Sequence, residues 1–165
     1  MTDKALKINT SQTPEKFIHS ANEIITFLVE SLQKIDILDK EVFERNEALL
    51  NPKEPSLIQP GEMELVAEYT ERRKMITDSI SLKPQEDFGY FPGKPSRYDY
   101  MNDTTVKIDF IMKSNTRAVI EIEYEYFTKR KDQFIIRNVE NNWKIESKNV
   151  LLSRKDGWEK KKAEL

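Results

Sequence analysis

The side chains most suited to catalysis or metal binding are scarce in this chain. His19 is the only histidine, and Glu23 stands four residues later, a spacing that brings two side chains to one face of a helix. Two ligands do not complete a metal site, and the absence of cysteine removes thiolate ligands and a thiol nucleophile. No motif marks a nucleophilic serine. The sequence therefore predicts no catalytic residue, no metal site and no cofactor.

The segment Gly93-Lys94-Pro95-Ser96 is superficially similar to a phosphate-binding loop. The preceding glycine has the wrong spacing, and Pro95 removes a backbone N–H where such a loop needs donors. The chain also has no glycine-rich dinucleotide motif. Both observations argue against a nucleotide-binding loop.

Three glutamates, Glu121, Glu123 and Glu125, alternate with apolar and aromatic residues, which places them on one face of a predicted strand. Successive carboxylates on that face lie about 7 Å apart, and a cationic partner would relieve their mutual repulsion. We therefore predict that they bind a partner. The alternative is the solvent face of a half-buried strand. On the opposite face, Tyr124 and Tyr126 either line a pocket or belong to the core.

An unusual loop between residues 88 and 100 contains five aromatic residues, two glycines and two prolines. Loops of this composition form ligand walls or interfaces, where Tyr and Arg are enriched. We predict partner contacts from four of its residues, which are Tyr90, Arg97, Tyr98 and Asp99. The alternative is an ordered connector whose aromatic side chains seal the open end of a sheet.

The composition of the 165-residue chain is that of one polar domain that can still bury a core. Its net charge of −2 argues against nucleic-acid binding, although residues 1–82 carry 10 Lys/Arg against 15 Asp/Glu and residues 83–165 carry 17 against 14. This asymmetry indicates a charged partner surface, and the alternative is an ordinary solvated face on each half. The lack of cysteine, of a secretory leader and of any long apolar stretch predicts a cytoplasmic protein without membrane association.

Three helices are predicted in the first half. The first begins after Thr13, which suits an N-cap, and carries one apolar stripe through Ile35. Asp39 is expected to cap a second helix that ends at Leu50, before prolines. A third follows Pro60-Gly61 and ends before Pro84.

The second half alternates with the period of strands. Strands are predicted over 106–112, 117–126, 134–139 and 143–150, with a charged turn from Thr128 to Asp132. Short connections make them antiparallel, so the fold class is α+β, with N-terminal helices packed on a curved antiparallel sheet. The domain is expected over 13–152, between a flexible N-terminus at 1–12 and a fraying, charged tail at 153–165, in which Trp158 can pin the chain to the body.

Three stretches carry a resemblance to a known family: Gly93 to Asp99, Arg117 to Tyr126, and Phe134 to Lys148 with its Trp143-Lys144-Ile145. They resemble the immunity proteins of the nuclear-transport-factor-2-like fold that occur beside bacterial polymorphic toxins. The resemblance implies a cone-shaped domain that binds a cognate polymorphic or contact-delivered toxin domain and neutralises it by stoichiometric occlusion.

The same fold also contains isomerases and dehydratases, which place an Asp, Glu or His on the inner wall beside a tyrosine. Here the predicted inner wall consists of Ile, Phe, Met and Tyr side chains, while Asp109 and the three glutamates lie on the outer face of their strands. This arrangement favours binding over catalysis. A reversed register would turn Glu121 and Glu123 inward and restore the enzyme or ligand-binding alternative. A third alternative is a subunit that forms a homodimer through its sheet.

Overall fold

The computed structural model describes residues 6–85, 91–103 and 105–165, in which a short N-terminal strand is followed by the helices and then by the other five strands of a single sheet. The helices are α1 (Glu15–Ile18), α2 (Ala21–Leu49) and α3 (Glu62–Ile80), and a 3₁₀ helix spans Asp99–Asn102. The strands are β1 (Ile8–Asn9), β2 (Lys107–Ser114), β3 (Arg117–Tyr126), β4 (Thr128–Val139), β5 (Asn142–Arg154) and β6 (Gly157–Ala163).

The six strands lie in the order β1 to β6 in one curved, unclosed sheet. β1 pairs with β2 in parallel, within the segment 1–12 for which the sequence predicts a flexible N-terminus. The other pairings between these strands are antiparallel. The predicted α+β class is confirmed, and the arrangement is consistent with a nuclear-transport-factor-2-like fold.

From Ala21 onward the first two predicted helices form one continuous helix, α2, and the prediction of a break at Asp39 is wrong. Asp39 lies in the middle of α2 and is 3% exposed. It accepts hydrogen bonds from Arg73 (2.7 Å) and Tyr69 (2.8 Å) of α3, so its carboxylate is satisfied by a neighbouring helix instead of by a helix N-terminus. Within the described ranges, no helix is long and apolar enough to cross a membrane.

The sequence predicts Thr13 as the N-cap of the first helix, but Thr13 does not take this role in the structure. Pro14 precedes α1, and the helix stops after one turn at Ile18. The Thr13 hydroxyl instead donates to the Phe110 carbonyl (2.6 Å) and accepts from the Met112 N–H (3.1 Å), which fastens the start of the helical layer to β2.

The predicted charged turn at 128–132 is part of strand β4. Only Phe127 separates β3 from β4, and its φ of 60° makes the reversal. The charged residues pair across the hairpin instead, with Glu123 opposite Lys131 and Glu125 opposite Lys129. The hairpin is therefore longer at this end than the sequence pattern indicated.

The expected fraying of the C-terminal segment is also wrong. Residues 157–163 form β6, which pairs with β5 after a turn at Gly157 with φ of 118°. Lys131 lies 4.5 Å from the ring centre of Trp158, so Trp158 does hold this segment to the sheet. Leu165 is buried, and its backbone oxygen accepts hydrogen bonds from Arg73 (2.5 Å) and Arg97 (2.6 Å).

The main core lies between α2 and the inner face of the sheet. Ile24, Ile25 and Leu28 belong to the same buried cluster as Ile120 and Ile122, and Trp143 packs at its edge. The predicted packing of the first helical stripe on these strands is confirmed. The core thereby fixes the curved sheet against the helices and leaves one end of it open.

Candidate functional site

A cavity of about 750 Å³, called the rim pocket below, lies at the open end of the sheet. It forms because β2 begins at Lys107, opposite Glu123, while β3 continues to Tyr126 with only β4 beside it. The lining residues are Pro95, Ser96, Arg97, Asp99, Tyr100, Asn102, Asp103, Thr105, Val106, Lys107, Glu123, Tyr124, Glu125, Tyr126, Lys129 and Arg130. Its size is in the range of pockets that hold small ligands or parts of a partner.

Four of the seven predicted partner-binding residues meet at this pocket, namely Arg97, Asp99, Glu123 and Glu125. Glu121 lies further along the same strand face and accepts a hydrogen bond from Gln133 at 2.8 Å. The last two of the seven predicted residues are Tyr98 and Tyr90. Tyr98 is fully buried, so it cannot be the accessible anchor that its loop position indicated, and Tyr90 lies outside the described residues.

The loop that carries Arg97 and Asp99 is fastened to α2 by a chain of polar contacts. Ser96 donates to the buried Asp36, and Lys40 lies 2.9 Å from Asp36 and 2.8 Å from Asp99. The hydrogen bond to Asp99, followed by the contact with Asp36, raises the pKa of Lys40. These contacts hold one wall of the rim pocket in a fixed position relative to the sheet.

The three glutamates do not form an uncompensated acidic line. Glu123 lies opposite Lys131 and 3.6 Å from Lys107, and Glu125 lies opposite Lys129. The lining of the pocket as a whole contains four carboxylates and four Lys or Arg side chains. Its charges are therefore balanced rather than of one sign.

Behind the rim pocket, the inner face of the sheet buries a polar cluster of Tyr98, Tyr100, Tyr124, Asp132 and Lys148. Asp132 is 1% exposed and accepts hydrogen bonds from the hydroxyls of Tyr100 (2.6 Å) and Tyr124 (3.3 Å). Lys148, 5% exposed, lies 3.7 Å from Asp132 and donates to the Tyr98 hydroxyl at 3.2 Å. Each charged group thus has partners inside the cluster, as burial requires.

The tyrosines of the polar cluster separate its charged pair from the rim pocket. The Tyr100 and Tyr124 rings stack with centres 4.2 Å apart and planes 8° from parallel. Burial, together with the nearby Asp132 carboxylate, raises the pKa of both hydroxyls well above the ordinary tyrosine value. At neutral pH they are therefore neutral donors that occupy the Asp132 oxygens.

Asp132 and Lys148 are the two residues that the sequence reading missed at the inner wall. The sequence pattern predicts Asp132 in a charged turn, although its spacing from Phe134 and Ile136 gives it the same inward-facing side of the strand. Simple alternation from Trp143 and Ile145 predicts Lys148 on the outer face. A bulge in β5 puts the extra residue Glu146 between Ile145 and Ser147, and this reverses the parity of every later residue in the strand.

Within the part of the chain that the structure describes, no group of three or more His, Cys, Asp or Glu side chains is arranged to hold a metal ion. No protein-family model matches the chain, and no curated protein or solved structure is significantly similar to it.

Proposed function

We propose that this chain is an immunity protein of the nuclear-transport-factor-2-like fold, which binds a cognate polymorphic or contact-delivered toxin domain and neutralises it by stoichiometric occlusion. It acts in the cytoplasm of the producing cell and uses neither a cofactor nor nucleic acid or membrane binding. The proposal starts from the resemblance of the loop and strands around Arg97, Glu123 and Trp143 to such proteins.

The observation that carries the proposal is that the charged groups of the polar cluster are buried and find their partners inside the cluster. A general base must reach the proton that it removes, but Asp132 lies behind Tyr100 and Tyr124 and accepts hydrogen bonds from both. The inner wall, where enzymes of this fold place their base, is therefore occupied by an internally satisfied structural network.

The accessible groups are instead at the rim pocket, on elements that are held rigidly. Arg97 is fastened through Leu165, and Asp99 through Lys40. Charged and aromatic side chains held on a fixed scaffold lose little conformational freedom on association, which favours a specific protein interface. Binding there would cover the partner's functional surface in a one-to-one complex.

The test uses the proteins encoded by the genes next to the gene for this chain, each produced as a candidate toxin domain. The purified proteins should form a 1:1 complex by light scattering, and co-expression should restore growth of cells that produce the toxin. Arg97→Ala should weaken the complex about 10-fold or more, as truncations of central interface arginines do. Arg117→Ala, an exposed arginine at the opposite end of β3, is the matched control. Absence of any complex with the parent protein would refute the proposal.

A small-molecule enzyme or ligand-binding cone is the second candidate, and a specific feature favours it. Asp132 and two tyrosine hydroxyls stand on the inner wall next to a cavity of about 750 Å³. If this candidate is right, a metabolite screen by thermal shift should yield a ligand whose binding or turnover is lost in Asp132→Asn. Toxin neutralisation by the folded Asp132→Asn variant would favour the immunity role instead.

A further inference from the structure

The hairpin between β3 and β4 extends beyond its neighbours and exposes an aromatic side chain at its end. We call residues Tyr126, Phe127, Thr128 and Lys129 the hairpin tip. β2 leaves the hairpin at Glu123, and β5 leaves it at Arg130, so the tip is paired only with itself. Tyr126 and Lys129 also line the rim pocket.

Phe127 combines two unfavourable features that folding alone does not explain. Its side chain is 90% exposed, although a phenylalanine gains free energy when it is removed from water. Its φ of 60° lies in the left-handed region, which a bulky L residue rarely adopts and which glycine or asparagine would take more easily. Backbone conformations of this kind occur preferentially at functional sites.

The neighbouring side chains hold Phe127 in place. The Tyr126 ring meets the Phe127 ring edge-on, with centres 4.7 Å apart. The guanidinium carbon of Arg130 lies 5.0 Å from the centre of the Tyr126 ring. An exposed ring that is already held in position loses less entropy when a partner binds it, which is the property of an interface anchor.

The charge around the tip defines the partner's chemistry. Across the hairpin, Glu123 and Glu125 lie opposite Lys131 and Lys129, and Arg130 lies opposite Tyr124, so the cations around the tip outnumber the carboxylates by one. We propose that Phe127 is the anchor of the interface and inserts into an apolar pocket of the toxin domain whose border carries carboxylates that face these cations. The inference rests on the proposed function and specifies where and with what chemistry the toxin binds.

A membrane is the other surface that an aromatic and basic tip can meet. Phe127 is a single ring, whereas stable attachment of a protein to a bilayer needs a larger apolar area or several signals. Asp99, Glu123 and Glu125 also line the adjoining pocket and would be repelled by anionic headgroups. A protein pocket with local carboxylates accommodates this mixed pattern better.

Binding of the neighbouring-gene toxin domain to a set of position 127 variants tests the inference. Phe127→Asn keeps a residue that accepts positive φ but removes the ring, and it should weaken binding about 30-fold or more, mainly through faster dissociation. Phe127→Trp should retain most of the affinity. Ile37→Ala, which truncates another exposed apolar side chain (69% exposed), should bind like the parent.

Lys129→Glu provides the electrostatic arm of the experiment and should slow association about 10-fold at low salt, with a smaller effect at high salt. If the parent binds the toxin domain and Phe127→Asn binds it equally well, the inference is wrong while the proposed function stands. If the parent does not bind, both are wrong. Binding to vesicles of phosphatidylcholine and phosphatidylglycerol, or self-association in sedimentation, that requires Phe127 would also overturn the inference.

Discussion

The ammonium nitrogen of Lys148 lies 3.7 Å from a carboxylate oxygen of Asp132, and both side chains are almost wholly buried beside Tyr98 and Tyr100. The two residues come from neighbouring strands that pair Asp132 with Val150, so the contact runs diagonally across the sheet. Removal of charged groups from water is expensive unless they are paired and hydrogen-bonded, and here Tyr98, Tyr100 and Tyr124 complete that pairing.

Breaking this pair on one side should destabilise the protein strongly. Asp132→Ala leaves the buried Lys148 without its counter-charge, so we expect a loss of about 3–5 kcal/mol in the free energy of unfolding. Lys148→Met in the same background should recover part of that loss, because no uncompensated charge remains. A double-mutant cycle from urea denaturation measures the coupling, and additive effects of the two changes would contradict this role.

Buried tyrosines should make the fold sensitive to alkali. Burial raises the pKa of Tyr69 to about 12 and that of Tyr100 and Tyr124 above the ordinary value. In the unfolded chain these hydroxyls ionise near pH 10, whereas the folded protein keeps their protons. The unfolded state therefore binds fewer protons above that pH, and stability should decline as the pH rises further.

Urea denaturation between pH 8 and pH 11 measures this decline. Tyr124→Phe should reduce its slope by up to about 1.4 kcal/mol per pH unit, the contribution of one titrating group. Tyr126→Phe, the same change at an exposed tyrosine, is the matched control. An unchanged slope in Tyr124→Phe would show that this hydroxyl is not held by the fold.

The centre of the core should be intolerant of truncation at Leu28, which is fully buried between α2 and the sheet. Leu28→Ala should lower the free energy of unfolding by about 2–5 kcal/mol, because it removes buried methyl groups and leaves a cavity. Ile37→Ala on the exposed side of the same helix should change it by less than about 0.5 kcal/mol. Chemical denaturation distinguishes them, and equal effects would place the core elsewhere.

The parts of the fold that sequence periodicity predicted are those in which one local pattern decides the structure. The stripe of Ile24, Ile25 and Leu28 indicated a helix that faces the core, and the alternation of Glu121 with Ile120 and Ile122 gave the faces of β3 correctly. The binding residues of the loop were only partly predictable. The sequence predicts that both Arg97 and Tyr98 contact a partner, but only Arg97 is exposed, and Tyr98 is fully buried by contacts with distant strands.

Errors arose where tertiary contacts decide the structure. Asp39 has a side chain typical of a helix cap, but it lies inside α2, where its carboxylate accepts a hydrogen bond from Arg73 of α3. The run of charged residues from Lys129 to Asp132 is typical of a turn, and its place in a strand follows only from the glutamates that lie opposite these lysines on β3. Lys148 faces inward only because of the bulge at Glu146, and no sequence pattern predicts that bulge. The polar cluster therefore became visible only in three dimensions.

The turn before β6 should depend on glycine. Gly157 has φ of 118°, and an added Cβ would meet no atom within 4 Å, so only backbone strain opposes a larger residue. Gly157→Ala should therefore cost about 1–3 kcal/mol. Gly93→Ala is the control, because that site is equally open and has no positive φ. Urea denaturation with amide exchange of β6 tests this, and equal stability of both variants would contradict it.

Exchanging the charges of one cross-strand pair should separate their role in binding from their role in folding. Glu125 and Lys129 lie opposite each other at the base of the hairpin tip, so Glu125→Lys combined with Lys129→Glu preserves a pair of opposite charges. The free energy of unfolding should remain nearly unchanged, since exposed pairs contribute little.

Binding should respond differently, because a partner with carboxylates at this position distinguishes the two arrangements. Association of the exchanged variant with the toxin domain should be about 10-fold slower at low salt, and the difference should shrink as salt rises, because screening weakens the interactions that guide encounter. Rates from stopped-flow fluorescence at two ionic strengths provide the measurement. If the exchanged variant associates like the parent at both, Glu125 and Lys129 form only a solvated strand pair, and the toxin contacts another surface.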